Sequence, residues 1–310
     1  MFGIILSNVA VLLVYMLLGF LLCKAGKGHV AHARTLSGLL LYVLSPAMII
    51  NSFLQLEYSG ENAAKIAKYF IATLVVQILF FAVLYIILRK KYEDAKYRIL
   101  SVGAVLGNVG FFGMPVISGM FPDDSIVMCY SSVNVMSMNL IVFTIGVFLI
   151  TNDKKYVSVK SALLNPTTLS IAAALPLFIF NVQLPTVVQS SVEVLAKAVT
   201  PMCMFILGMR LSAVKLKPLF TRPFVYCTCA LKLLVFPIFA FLCVRWLPFF
   251  DDTLKITVVV LAAAPSGAII ESLAELHECE QELSANVVLL TTILSVATMP
   301  LITTALIALF

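Results

Sequence analysis

Two stretches of this chain put helix-breaking residues where an apolar run demands an unbroken helix. The first is GNVGFFGMP at Gly107–Pro115 and the second is AAPSG at Ala263–Gly267. Each lies near the middle of a run long enough to cross a lipid bilayer. A helix broken at the midplane exposes backbone N–H and C=O groups that hydrocarbon cannot satisfy. Such a break survives only where it is buried in protein or lines a cavity. Two breaks, one in each half of a chain, are the pattern by which secondary transporters mark their binding sites.

The rest of the chain supports a membrane reading. Of its 310 residues, 62% are hydrophobic and only 12% are charged. Apolar runs between charged breaks predict ten spans, at roughly 2–23, 36–54, 66–88, 99–121, 125–150, 162–180, 187–209, 223–247, 256–276 and 283–310. The run Phe2 to Cys23 has its charges (Lys24, Lys27, Arg34) after the apolar core, so it reads as an uncleaved first helix rather than a secretory signal. The net charge of +6 sits in short loops, where it sets orientation and does not imply nucleic acid.

Basic residues decide that orientation. One set of loops holds Lys24, Lys27, Arg34, Arg89, Lys90, Lys91, Lys96, Arg98, Lys154, Lys155, Lys160, Arg210, Lys215, Lys217 and Arg222. The opposite loops hold only Lys65, Lys68, Arg245 and Lys255. The first set is therefore cytoplasmic, with both termini outside. The seven cysteines lie almost entirely within apolar runs and lack metal-ligand spacing, so neither a disulfide framework nor a metal site is expected.

The chain also aligns with itself. At an offset of 155 residues, Ser45–Pro46 meets Thr200–Pro201, Gly110 meets Pro265, and Ser131 meets Asn286. Five spans per half is an odd number, so the second half is inverted relative to the first. The expected fold is an all-α polytopic membrane protein: two inverted five-helix repeats, residues 1–155 and 156–310, with helices 4 and 9 broken.

If Pro115 and Pro265 each open a second half-helix, both half-helices begin at the midplane. Their free N–H groups and partial positive charges would face one cavity and suit an anion, with the Ser266 and Gly267 N–H groups as expected donors. Asn108 and Gly110 flank the first break, and Ser131 and Asn134 share a face of span 5. With Asn286 of span 10, these residues form the expected substrate site, whereas Asn139 is expected in packing. Glu271 and Glu275 follow the second break, and Glu271 has no cation beside it in sequence. Both are candidates to carry a coupling proton or bind sodium. Lys232, deep in span 8, is a candidate partner for Glu271 or an attractor of anions; Glu193 and Lys197, four apart, should neutralise each other.

GNVGFFGMP, APSGAIIESLAELH and ELSANVVLLTTILSVATMPLI resemble the corresponding segments of the auxin efflux carrier family. The resemblance implies an elevator-type homodimer in which spans 1, 2, 6 and 7 form the scaffold and spans 3–5 and 8–10 carry substrate. It further implies that Asn108 contacts substrate and that Pro265 is the second crossover proline. The short loop at Thr151–Ser161 matches the compact bacterial members, some of which carry malonate or malate. The acidic–basic pair of the plant proteins' third span is missing, since Ile66–Leu88 contains no acid.

Enzyme signatures are lacking: there is no HExxH, GxSxG or Walker A string, and no aspartate within a span. The reading is a secondary transporter of a small organic anion, a dicarboxylate such as malonate or malate or an auxin-like carboxylate, with no catalytic residues and no cofactor. The competing classes are an anion channel or uniporter and, behind them, a membrane-embedded enzyme.

Overall fold

In a computed structural model, residues 2–213 and 222–310 are described; Lys215 and Lys217 of the charge count lie outside them. The described chain is helical throughout. Its helices are α1 (Phe2–Lys24), α2 (His32–Leu54), α3 (Gly60–Lys91), α4 (Ala95–Val105), α5 (Val109–Met120) and α6 (Ile126–Thr151). There follow α7 (Lys154–Ile179, regular from Pro166), α8 (Thr186–Ala213), α9 (Pro223–Arg245), α10 (Asp252–Ala262), α11 (Ile269–Leu276) and α12 (Gln281–Ile307). Among the described residues, eight helices are long and apolar enough to cross a membrane. The short ones, α4–α5 and α10–α11, flank the two breaks.

Local chemistry fixes the helix starts. Ser59 Oγ accepts from the Asn62 N–H at 3.0 Å, starting α3 six residues before the expected span, and the Asp251 carboxylate accepts from the Leu254 N–H at 2.7 Å. Prolines shape the interiors. Pro46, Pro115 and Pro237 each lie two residues after a π-helical turn, at Leu40–Leu44, Val109–Gly113 and Leu231–Val235. The proline ring removes a donor and crowds the preceding turn, and a wide turn relieves both.

Two sets of helices pack closely. At the α1–α8 crossing, a Cβ on Gly208 would overlap the Met16 carbonyl and one on Gly19 would overlap the Phe205 carbonyl. These glycines let the backbones touch, which is how helices associate in lipid without a hydrophobic driving force. Helix α2 packs against both α7 and α8. In the second set, α3 and α6 are joined by polar contacts: Thr73 Oγ1 to Ser137 Oγ at 3.1 Å, Gln77 Nε2 to Ser137 Oγ at 3.1 Å, and Asn134 Nδ2 to Tyr69 Oη at 3.2 Å. Tyr69 and Tyr130 stack with centroids 4.4 Å apart. Each such hydrogen bond contributes about 0.6 kcal/mol within a membrane.

Candidate functional site at the crossing of two broken helices

The two breaks meet. The Asn108 N–H donates to the Pro265 carbonyl at 2.7 Å, and the Gly267 N–H donates to the Leu106 carbonyl at 3.0 Å. Gly107 and Ser266 thereby form an antiparallel bridge, the only strand-like pairing among the described residues. Each unwound segment satisfies part of the other's backbone, which makes the crossing tolerable inside a membrane. Ser266 locks it further. Its Oγ donates to the Gly103 carbonyl at 2.8 Å, supplying a partner at the end of α4, and its N–H donates to Thr291 Oγ1 at 3.1 Å.

The crossing separates helix ends by polarity. On one side, a cavity of about 80 Å³ is lined by Asn108, Val109, Gly110 and Phe111 at the start of α5, and by Gly267, Ala268 and Ile269 at the start of α11. Ser45, Met48 and Ile49 of α2 and Thr167 of α7 close it. Both N-terminal ends, each with roughly half a positive charge, thus face one space. On the other side, a cavity of about 20 Å³ is lined by Val105 at the end of α4, Ala262 at the end of α10, and the side chains of Lys232, Thr73, Gln77 and Asn134. Here the C-terminal ends converge.

The donors differ from the sequence expectation. The Ser266 and Gly267 N–H groups are already bonded within the crossing, and Ser266 is fully buried, so they hold the crossing rather than a ligand. Pro115 does not open a half-helix. The helix starts at Val109, and its first regular bond runs from the Phe112 N–H to the Asn108 carbonyl at 3.0 Å. Pro265 lies in the extended segment four residues before α11 and serves through its carbonyl. The N–H groups without a carbonyl one turn back are instead those of the first-turn positions Val109, Gly110, Phe111, Ala268 and Ile269, all of which line this cavity. Asn108 is 6% exposed, and its side chain lies beside the Cys203 thiol of α8.

Of the other expected residues, Gly110 lines the larger cavity and Asn134 the smaller one. Ser131 and Asn286 are fully buried and line neither. Asn139 donates to Asn165 Oδ1 at 3.3 Å, a packing contact, and Lys197 pairs with Glu193 at 2.6 Å. Glu271 has a cation after all. Arg210 Nη1, at the end of α8, lies 2.7 Å from Glu271 Oε2. Lys232 is not its partner, and Glu275 is exposed. Sequence reasoning missed Arg210 because the pair joins residues 61 positions apart on different helices.

A family model described as membrane transport protein matches residues 4–161 and again 154–303. The chain belongs to this family, the auxin efflux carriers. This carrier is also 26% identical over 220 residues to an uncharacterized transporter of Methanocaldococcus jannaschii, covering 67% of the present chain and 70% of that protein. A membrane transport protein with multiple apolar helices implies a transported substrate and a lipid bilayer as its surroundings.

Proposed function

We propose that this carrier moves a small organic anion through the crossing, and that one carboxylate of a dicarboxylate such as malonate or malate sits in the 80 Å³ cavity. The convergence of two helix N-termini on Asn108 carries this reading. An anion there receives first-turn N–H groups from α5 and α11 and the amide of Asn108. An auxin-like carboxylate has the same head group and is the second candidate.

In this reading α4–α5 and α10–α11 are two broken spans, giving ten crossings in two inverted halves, 1–155 and 156–310, with both termini outside. The antiparallel bridge between the breaks supports the inversion. Helices α1, α2, α7 and α8 form the scaffold of a homodimer, and α3–α6 with α9–α12 move past it as an elevator. The close α1–α8 crossing and the polar α3–α6 contacts support that division. Glu271 then bridges scaffold and carrier through Arg210, and a coupling proton or sodium ion acts there by releasing the pair, with Glu275 at its solvent end.

Uptake of a labelled carboxylate panel into proteoliposomes, with proton and sodium gradients imposed in turn, tests this. Saturable uptake of a dicarboxylate supports the proposal. Flux that rises linearly with concentration points to a channel, and no carboxylate flux at all refutes the anion reading.

A further inference from the structure

The second cavity of the crossing is already occupied by an amine. Lys232 lies in the π-helical turn of α9 and is fully buried. Its Nζ donates to the Ala262 carbonyl at 3.1 Å and to the Val105 carbonyl at 3.3 Å, and lies 4.5 Å from the Phe236 ring centroid. Among the described residues, no carboxylate comes within ion-pair distance of it. A buried ammonium without a counter-ion is costly. Its compensation here is the backbone: Ala262 ends α10 and Val105 ends α4, and each C-terminus carries roughly half a negative charge. Two such ends amount to about one unit, the charge of one ammonium.

The surroundings are shaped for that group. A Cβ at Gly107 would stand 2.9 Å from Nζ, so glycine keeps the space open. An ammonium has three donors, and two are used by the carbonyls. The third has the 20 Å³ cavity beside it, enough for one water, with Gln77 and Asn134 on its wall. Aromatic and carbonyl groups around an apolar pocket are what a free monovalent cation would also use.

We propose that the Lys232 ammonium is a tethered resident cation, filling a monovalent-cation site at the C-terminal side of the crossing so that the crossing assembles without any alkali ion. This builds on the anion reading in one respect. With the C-terminal ends neutralised by Lys232, the N-terminal ends leave a net positive charge of about one unit facing the other cavity.

Thermal unfolding of the purified full chain tests it without a substrate. In choline chloride, Lys232→Ala melts several degrees below wild type. Methylammonium chloride at equal ionic strength restores the melting temperature saturably in Lys232→Ala. It does so neither in wild type nor in Lys232→Met, whose side chain fills the space. A Lys232→Ala protein as stable as wild type in choline, or destabilised but unmoved by methylammonium, ammonium, sodium or potassium, overturns the proposal. If Lys232→Ala cannot be purified, wild type decides. A melting temperature equal in sodium, potassium and choline chloride supports the tethered cation, and a saturable rise with sodium or potassium overturns it. Because chloride is the same in every arm and no carboxylate is added, a failed uptake assay leaves this result intact, and the converse holds.

Discussion

Replacing Asn108 by alanine separates the residue's structural work from its proposed ligand contact. The structural work is done by its backbone. The N–H donates to the Pro265 carbonyl at 2.7 Å, and the carbonyl accepts from the Phe112 and Gly113 N–H groups, each at 3.0 Å. Its φ of −81° is open to any L-residue, so alanine keeps all three bonds without strain. What leaves is the side-chain amide, with its contact to the Cys203 thiol and its place on the wall of the 80 Å³ cavity. A hydrogen bond to a charged group contributes about 1.5–3 kcal/mol, so binding of the transported anion should weaken roughly 10- to 150-fold. Asn108→Asp should weaken it further, by opposing the anion with a carboxylate. The assay is concentration-dependent uptake into proteoliposomes alongside thermal unfolding of the same preparations. An Asn108→Ala protein with wild-type melting and wild-type half-saturation would remove Asn108 from the site. It would also undermine the assignment of the anion to the N-terminal side.

A cysteine at Asp123, an exposed position between α5 and α6, should react with an impermeant thiol reagent added outside cells, and one at Lys154 should not; the opposite pattern inverts every loop. Glu271→Gln leaves Arg210 charged beside a neutral amide in a site where the two side chains are 17% and 9% exposed. It should therefore destabilise by about 3 kcal/mol, the lower end for a broken buried pair, with the loss partly recovered in Arg210→Gln/Glu271→Gln. If Glu271 also carries the coupling ion, Glu271→Gln abolishes gradient dependence while preserving substrate exchange, and unaltered gradient dependence assigns it to structure alone. Gly208→Ala drives a Cβ into the Met16 carbonyl and should cost at least 1–3 kcal/mol as the α1–α8 crossing spreads, read as a lower melting temperature.

How much of this was legible in the sequence differs by scale. Helix existence was legible because apolar runs of bilayer length leave little choice, and GNVGFFGMP and AAPSG marked both breaks. The placement of prolines within the breaks was not. Pro115 and Pro265 looked like helix starts by local preference, but a π-helical turn carries α5 back to Val109, and pairing with Leu106–Asn108 holds Pro265 extended. Both outcomes depend on contacts between segments far apart in sequence. The same limit hid the partners of Lys232 and Glu271. Each stood out as a charge inside an apolar run, but the carbonyls of Val105 and Ala262 and the guanidinium of Arg210 come from other helices. Carbonyl partners leave no signature in residue type at all.

The antiparallel crossing has an electrostatic consequence independent of any particular ligand. When two broken helices pass each other with antiparallel breaks, like ends are brought together: α4 and α10 stop against the same ammonium, and α5 and α11 start on the same cavity. Like ends repel, so each cluster requires a charge of opposite sign. The C-terminal cluster has one built into the chain. The N-terminal cluster has none among the residues lining its cavity, which include no acidic side chain. A protein that neutralises one pole permanently and leaves the other open has assigned the second to something that comes and goes. That asymmetry is the physical reason to expect a mobile anion, rather than a mobile cation, at the crossing itself.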